Sequence, residues 1–169
     1  MERRERLEKL YERVYSRPRL VSALSIFSCV AVVYVVLGFV TVVSALALDG
    51  SYLGCVKLLA MAAIPFAVVS AMRFILNSDR PYEVIELDQF KEMRNVRKSG
   101  KSFPSRHVFS AFLIGVLSFS YSLPLGIVIL MLGAFIAICR VLLGIHFVKD
   151  VVVGALIGAL SGVIALLIL

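Results

Sequence analysis

The chain contains only two histidines in 169 residues, and cysteine is hardly commoner at three. Cys29, Cys55 and Cys139 are odd in number, scattered and set in apolar surroundings. That pattern supports neither a disulfide framework nor a zinc site, and the three read as small packing residues. Charge is sparse as well: charged residues make up 17% of the sequence, and none occurs from Val108 to Cys139. Apolar residues reach 60%, with a mean hydropathy of +0.96, whereas soluble domains are roughly half apolar. This composition excludes an ordinary soluble domain. The net charge of +7 comes with no aromatic-rich polar module, so nucleic acid is excluded as a partner. No internal repeat or low-complexity segment is present.

What remains is a membrane protein. Crossing a ~30 Å hydrocarbon core takes about 20 apolar residues, and the candidate runs are Leu20 to Leu48, Leu58 to Met72, Val108 to Cys139 and Val151 to Leu169. The second reaches full length if it begins near Tyr52, with Lys57 snorkelling to the interface. The third is long enough for two crossings, and Pro124 and Gly126 in "YSLPLG" supply the turn. The fold class is therefore all-α, a polytopic helical bundle of about five transmembrane helices, residues 20–169. A charged lead precedes the first run, which is too long for the apolar part of a cleaved signal peptide, so the first helix is expected to stay as an anchor.

Leu7, Leu10, Tyr11 and Val14 recur at helical spacing in the lead, and residues 1–19 are expected to form an amphipathic helix at the membrane interface, ended by Pro18. The lead and the 78–102 segment hold most of the Lys and Arg, including Lys91, Arg94, Arg97, Lys98 and Lys101, while "LDGSYLG" and "YSLPLG" have none. The excess of positive charge on one side predicts a multi-pass cell-membrane protein with its N-terminus and the 78–102 loop cytoplasmic.

Ionisable groups at a membrane edge are expensive and are functional suspects by default. Three clusters qualify: "RFILNSDRP" with Arg73 and Arg80; "PSRH", Pro104 to His107; and "CRVLLGIHFVKD" with Arg140, His146 and Asp150. The expected topology puts all three on one membrane face, as an active site on a helical bundle requires. Arginine presents a planar fork of donors that fits phosphate and keeps its charge, so Arg73, Arg80 and Arg140 read as a clamp for a phosphoryl group. Ser102 and Pro104 resemble a helix start, which would turn the backbone N–H groups and hydroxyl of Ser105 to His107 toward an anion. His146 and Asp150 are four apart, on one face if helical. The carboxylate can then fix the ring and leave its other nitrogen free to attack phosphorus, while His107 protonates the leaving alkoxide. Lys149 is expected to be only an anchor, and Gly154, Gly158 and Gly162 predict close helix packing behind the site.

Together the three clusters resemble the motifs of the type 2 phosphatidic acid phosphatase family, related to bacterial acid phosphatases and vanadium haloperoxidases. The family pattern is Lys, six residues, Arg-Pro; then Pro-Ser-any-His, commonly with Gly third; then Ser-Arg, five residues, His, three residues, Asp. The likeness covers Arg73 to Asp150, in order and at full spacing, with Arg73 for the lysine, Cys139 for the serine and Arg106 for the common glycine. It implies a metal-independent phosphatase with no cofactor, working through a phosphohistidine. His146 would be the nucleophile, His107 the acid and base, Asp150 the orienter, and Arg73, Arg80, Ser105, Arg106 and Arg140 the phosphate-binding set. Membrane members of the family commonly have six spans and a site facing away from the cytosol. Here five spans are expected, with the site facing the cytosol.

The expected activity is hydrolysis of a lipid phosphate or diphosphate, phosphatidate-like or polyprenyl, with the bilayer holding the tail. A catalytically silent headgroup-binding relative would show itself by loss of His107, His146 or Asp150, and all three are present. Transfer to an acceptor other than water shares the same intermediate. Haloperoxidase chemistry needs bound vanadate, which a lipid-embedded setting disfavours.

Overall fold

A computed structural model describes residues 2–96 and 100–168. Two of the loop's basic residues, Arg97 and Lys98, lie outside the described residues. Eight helices follow in chain order: α1 (Glu2–Tyr15), α2 (Pro18–Leu48), α3 (Tyr52–Leu76), α4 (Pro81–Val84), α5 (Lys91–Val96), α6 (Arg106–Leu117), α7 (Leu123–Leu142) and α8 (Val148–Ile168). Among the described residues α2, α7, α8 and the helix opened by Tyr52 are long and apolar enough to cross a membrane. The fifth expected span is shorter: α6 and the 3-10 turn that follows it cover Arg106–Ser120.

The short helix is tolerated because it sits inside the bundle rather than against lipid. Val108, Phe109, Ala111, Leu113, Gly115, Val116 and Leu117 of α6 are all buried, so its backbone polar groups meet protein at both ends and need not span the hydrocarbon alone. Its closest neighbour is α8. A Cβ built on Gly158 would lie 2.3 Å from the carbonyl oxygen of Phe109, and one on Gly154 would lie 2.7 Å from that of Ser105. Gly154, Gly158 and Gly162 are therefore the small residues that let two backbones touch, as their spacing predicts. The turn between α6 and α7 falls at Tyr121 and Ser122, with Pro124 in the first turn of α7.

The lead is a helix, but part of its apolar face is spent on the protein. Tyr11 is completely buried and Val14 nearly so, while Leu10 stays exposed. Tyr11 joins a cluster with Tyr82, Ile85, Leu87 and Phe90, meeting the Phe90 ring edge-on at a centroid distance of 5.3 Å. Burial among these rings pushes the Tyr11 phenol up to about 12. Tyr15 also meets Phe90 edge-on and donates from Oη to the Leu143 carbonyl at 3.1 Å. Thus α1 and the 82–90 segment brace the turn between α7 and α8.

The 78–102 loop is closed at its base. The Ser102 N–H donates to the Ser78 carbonyl at 2.8 Å, and Glu83 accepts from the backbone N–H groups of both Arg80 and Gly100 at 2.7 and 2.8 Å.

Candidate active site

The end of α3, the start of α6 and the α7–α8 turn meet at one end of the bundle, so the three sequence clusters converge as their topology predicts. The turn that carries His146 is built by Gly144. Helix α7 ends in a Schellman motif: the Gly144 N–H donates to the Val141 carbonyl and the Ile145 N–H to the Arg140 carbonyl, each at 3.0 Å. Such a cap needs a left-handed residue, and Gly144 has φ +63°. The next N–H, from His146, also reaches the Arg140 carbonyl at 3.2 Å. The imidazole thus stands in the turn and not on a helical face. Asp150, in the first turn of α8, comes to it from the other side.

Both groups are buried, His146 3% exposed and Asp150 fully enclosed. Their closest approach, Nδ1 to Oδ2, is 3.5 Å, longer than an N–H···O hydrogen bond of about 2.7–3.2 Å. Ser102 lies between them. Its Oγ is 2.5 Å from Asp150 Oδ2 and 3.2 Å from His146 Nδ1, and Oδ2 accepts a further bond from the Phe147 N–H at 3.0 Å. The sequence pointed to Ser102 only as a helix start. Helix α6 actually begins at Arg106, with Ser105 as the residue before it. The one available signal for Ser102 was its place two residues before "PSRH", and that carries no chemistry by itself. Burial pushes the His146 imidazole below its ordinary value, opposed by its contact with Asp150 and aided by the Arg80 charge.

Arg73 is buried and its Nη1 donates to the carbonyls of Ser102 and Pro104, at 3.1 and 2.5 Å. At this amino group it binds the segment carrying Ser102 and Ser105, a task that its spacing does not announce. Arg80 is half-buried, donates from Nε to the Gly100 carbonyl at 3.1 Å and packs over the Tyr82 ring. Ser105 is enclosed; its N–H donates to the Asp150 carbonyl at 2.9 Å, and its Oγ has no partner among the described residues. Arg106 is exposed, with its guanidinium 5.9 Å from the Phe66 ring centre. Arg140 occupies the last turn of α7.

His107, in the first turn of α6, opens onto a cavity of about 300 Å³. The cavity follows α6 through Ser110, Ala111 and Ile114 and is walled by Val32, Val35 and Ile136. It is therefore polar at the end that holds His107 and Arg106 and apolar beyond. Among the described residues no three His, Cys, Asp or Glu side chains gather as a metal centre would need.

Known proteins resemble this chain in sequence and in fold. The chain is 33% identical over 105 residues to "Bacitracin transport permease protein BcrC" of Bacillus licheniformis, a match covering 59% of the chain and 50% of that protein. The chain thus spans about half the length of this curated relative. Two crystal structures share the fold. The LpxE structure of Aquifex aeolicus superposes with a TM-score of 0.66 at 24% identity, over 94% of this chain and 93% of the other. The "first transmembrane PAP2 type phosphatidylglycerolphosphate phosphatase from Bacillus subtilis" gives 0.71 at 21%, over 97% and 84%. The PAP2 superfamily model matches residues 54–169, from the start of α3 to the last residue and through all three clusters, and this all-helical, multi-pass membrane chain belongs to the PAP2 superfamily.

Proposed function

We propose that this chain hydrolyses the phosphate or diphosphate ester of a membrane lipid through a phosphohistidine on His146, without a metal ion. The observation that carries the reading is the cluster of His146, Ser102 and Asp150 with Arg80 near it and His107, itself beside Arg140, opening onto a cavity that is apolar beyond. A phosphate entering there meets guanidinium groups and the N-terminal N–H groups of α6, which stabilise the charge that develops on its equatorial oxygens.

His146 Nε2 attacks phosphorus, a P–N bond forms, and the P–O bond to the lipid breaks. His107 gives its proton to the departing alkoxide or phosphate. In the second half-reaction His107 takes a proton from water, whose oxygen attacks the phosphohistidine; the P–N bond breaks and inorganic phosphate leaves. Ser105 Oγ, enclosed and without a partner among the described residues, supplies one further donor to the phosphate.

A lipid rather than a soluble ester is supported by the cavity itself, whose walls from Ala111 to Ile114 suit an acyl or prenyl chain and whose mouth suits the anionic group. The distribution of Lys and Arg favours a site on the cytoplasmic face. Metal independence is supported by the donor set, which offers guanidinium, hydroxyl and amide groups to the phosphate. The test is phosphate release by purified protein in detergent micelles, from phosphatidate and a prenyl diphosphate in parallel, with EDTA present and His146→Ala alongside. EDTA-resistant release that vanishes in the variant is expected, with the faster substrate naming the lipid class. If folded protein leaves both lipids intact, or if release survives His146→Ala, the reading fails.

A further inference from the structure

The direct His146 to Asp150 approach is too long for a good hydrogen bond, while Ser102 Oγ is within reach of both. A separation of 2.5 Å between a hydroxyl and a carboxylate oxygen requires a proton between them, and at the pH of the cell that proton is the hydroxyl's. Ser102 has only one O–H. With it given to Asp150, Oγ can offer His146 Nδ1 only a lone pair, so Nδ1 must carry the hydrogen. That tautomer leaves the lone pair on Nε2, the nitrogen free to attack. Arg73 holds the carbonyls of Ser102 and Pro104, and the Ser102 N–H is tied to Ser78. The hydroxyl is thus fixed by its own backbone.

We infer that Ser102 is a positioning residue for the nucleophile: its hydroxyl links Asp150 to His146 and sets the imidazole tautomer. The inference rests on the proposed role of His146. It predicts that the carboxylate's influence on the ring travels through a side chain distant in sequence from both partners. Charged and titratable groups near His146 are Asp150 from α8, Arg73 from α3, Arg80 from the loop that follows it and His107 from α6, with Arg140 from α7 beside His107. Of these, Asp150 alone is anionic, and it is the only one that Ser102 bridges to the ring.

The experiment follows the reactivity of His146 itself. Purified full-length protein in micelles is treated with diethyl pyrocarbonate across pH, and carbethoxylation of the His146 peptide is measured by mass spectrometry separately from that of His107. In Ser102→Ala the imidazolium loses its link to the carboxylate, so the pH midpoint for His146 falls below the wild-type midpoint. Ser102→Cys, close in size and a weak donor, shifts it in the same direction and serves if the alanine variant fails to fold. In an Asp150→Asn background the serine substitution has no further effect. A midpoint that holds or rises in the serine variants would mean that Asp150 acts on the ring directly, and equal shifts in both backgrounds would mean that Ser102 acts on its own; either overturns the inference. On the lipid hydrolysed by wild type, Ser102→Ala is expected to lower kcat about 10–100-fold with KM unchanged, the usual cost of losing an orienting partner. A loss carried by KM also overturns it. Should wild type release no phosphate, the functional proposal falls while the midpoints still decide the role of Ser102.

Discussion

Replacing Gly144 by alanine tests how the turn that carries His146 is built. Two costs add. An L-residue at φ +63° occupies the left-handed region at about 1–2 kcal/mol. The new Cβ would also lie 2.6 Å from Phe90 Cζ, and that ring cannot yield freely, because it is wedged edge-on by Tyr11 and Tyr15 at centroid distances of 5.3 and 5.2 Å. Overpacking of this kind costs about 1–3 kcal/mol. The sum, about 2–5 kcal/mol, corresponds to a loss of about 4–20 °C in Tm for a chain of this length, at about 2–4 °C per kcal/mol. Thermal unfolding in micelles measures it, and the two costs separate in a cycle. Phe90→Leu in the same chain makes room for the methyl and should return the steric part but not the backbone part. Hydrolysis should fall with stability, since His146 follows two residues later and its N–H shares the Arg140 carbonyl with that of Ile145. A Gly144→Ala protein with wild-type Tm and rate would refute both the cap and its role in aiming the imidazole.

Gly158→Ala should lower Tm by an amount that no repacking of side chains relieves, because its Cβ would meet the backbone oxygen of Phe109 at 2.3 Å and must push α6 from α8; about 1–3 kcal/mol is expected. An unchanged melting curve would mean that the two helices do not touch. A pH dependence follows from the burial that lowers the His146 pKa. The neutral ring, the form able to attack in the proposed mechanism, then already predominates below the ordinary imidazole value of about 6.5, so kcat/KM should rise through a midpoint below that value and carry no His146 limb at neutral pH. A limb above 6.5 that disappears in no other single-histidine variant would contradict the burial argument.

The features legible in the sequence were those that a local pattern encodes. Apolar run lengths gave the bundle, and Pro124 marked the break in Val108 to Cys139, but the turn itself falls at Tyr121 and Ser122, and Gly126 lies inside α7, packed against Phe119 and the Gly115 carbonyl. Three short motifs gave most of the polar groups that converge. The parts missed share a physical cause: a pattern of apolar residues does not say what covers them. Leu7, Leu10, Tyr11 and Val14 suit lipid and protein equally well, and only the fold shows Tyr11 and Val14 packed inward and Leu10 left exposed. Spacing misled in a similar way at His146. Four residues from Asp150 is the interval of a helical face, but Gly144 followed by a new helix start makes it the interval across a turn. Glycine after the last residue of an apolar helix is a known stop signal, so this difference could have been read. Ser102 could not, because its two partners lie far along the chain.

Some polar residues of the three motifs hold the scaffold, whereas others stand open to the cavity. Arg73 is the clearest builder: a buried guanidinium is stable only if its donors are satisfied, and two carbonyls of the Ser102–Pro104 segment take up its Nη1. Glu83 builds too, accepting the N–H groups of Arg80 and Gly100 and so closing the loop beneath the site. Both Arg73 bonds leave from Nη1 alone, so the guanidinium keeps the N–H groups of Nε and Nη2 for other partners, where a lysine ammonium would keep only one. Arginine at position 73 therefore fits a chain in which the hydroxyl of Ser102 must be held still. Under the proposed reading the charge offered to a phosphate comes from Arg80, Arg140 and the exposed Arg106, the last of which lines the cavity. Of these Arg106 stands where the family commonly has glycine, leaning on Phe66 over the entrance of the apolar cavity. The departures at 73 and 106 thus have opposite consequences: one draws a cation inward to hold the Ser102–Pro104 segment, and the other leaves a cation exposed at the polar end of the cavity.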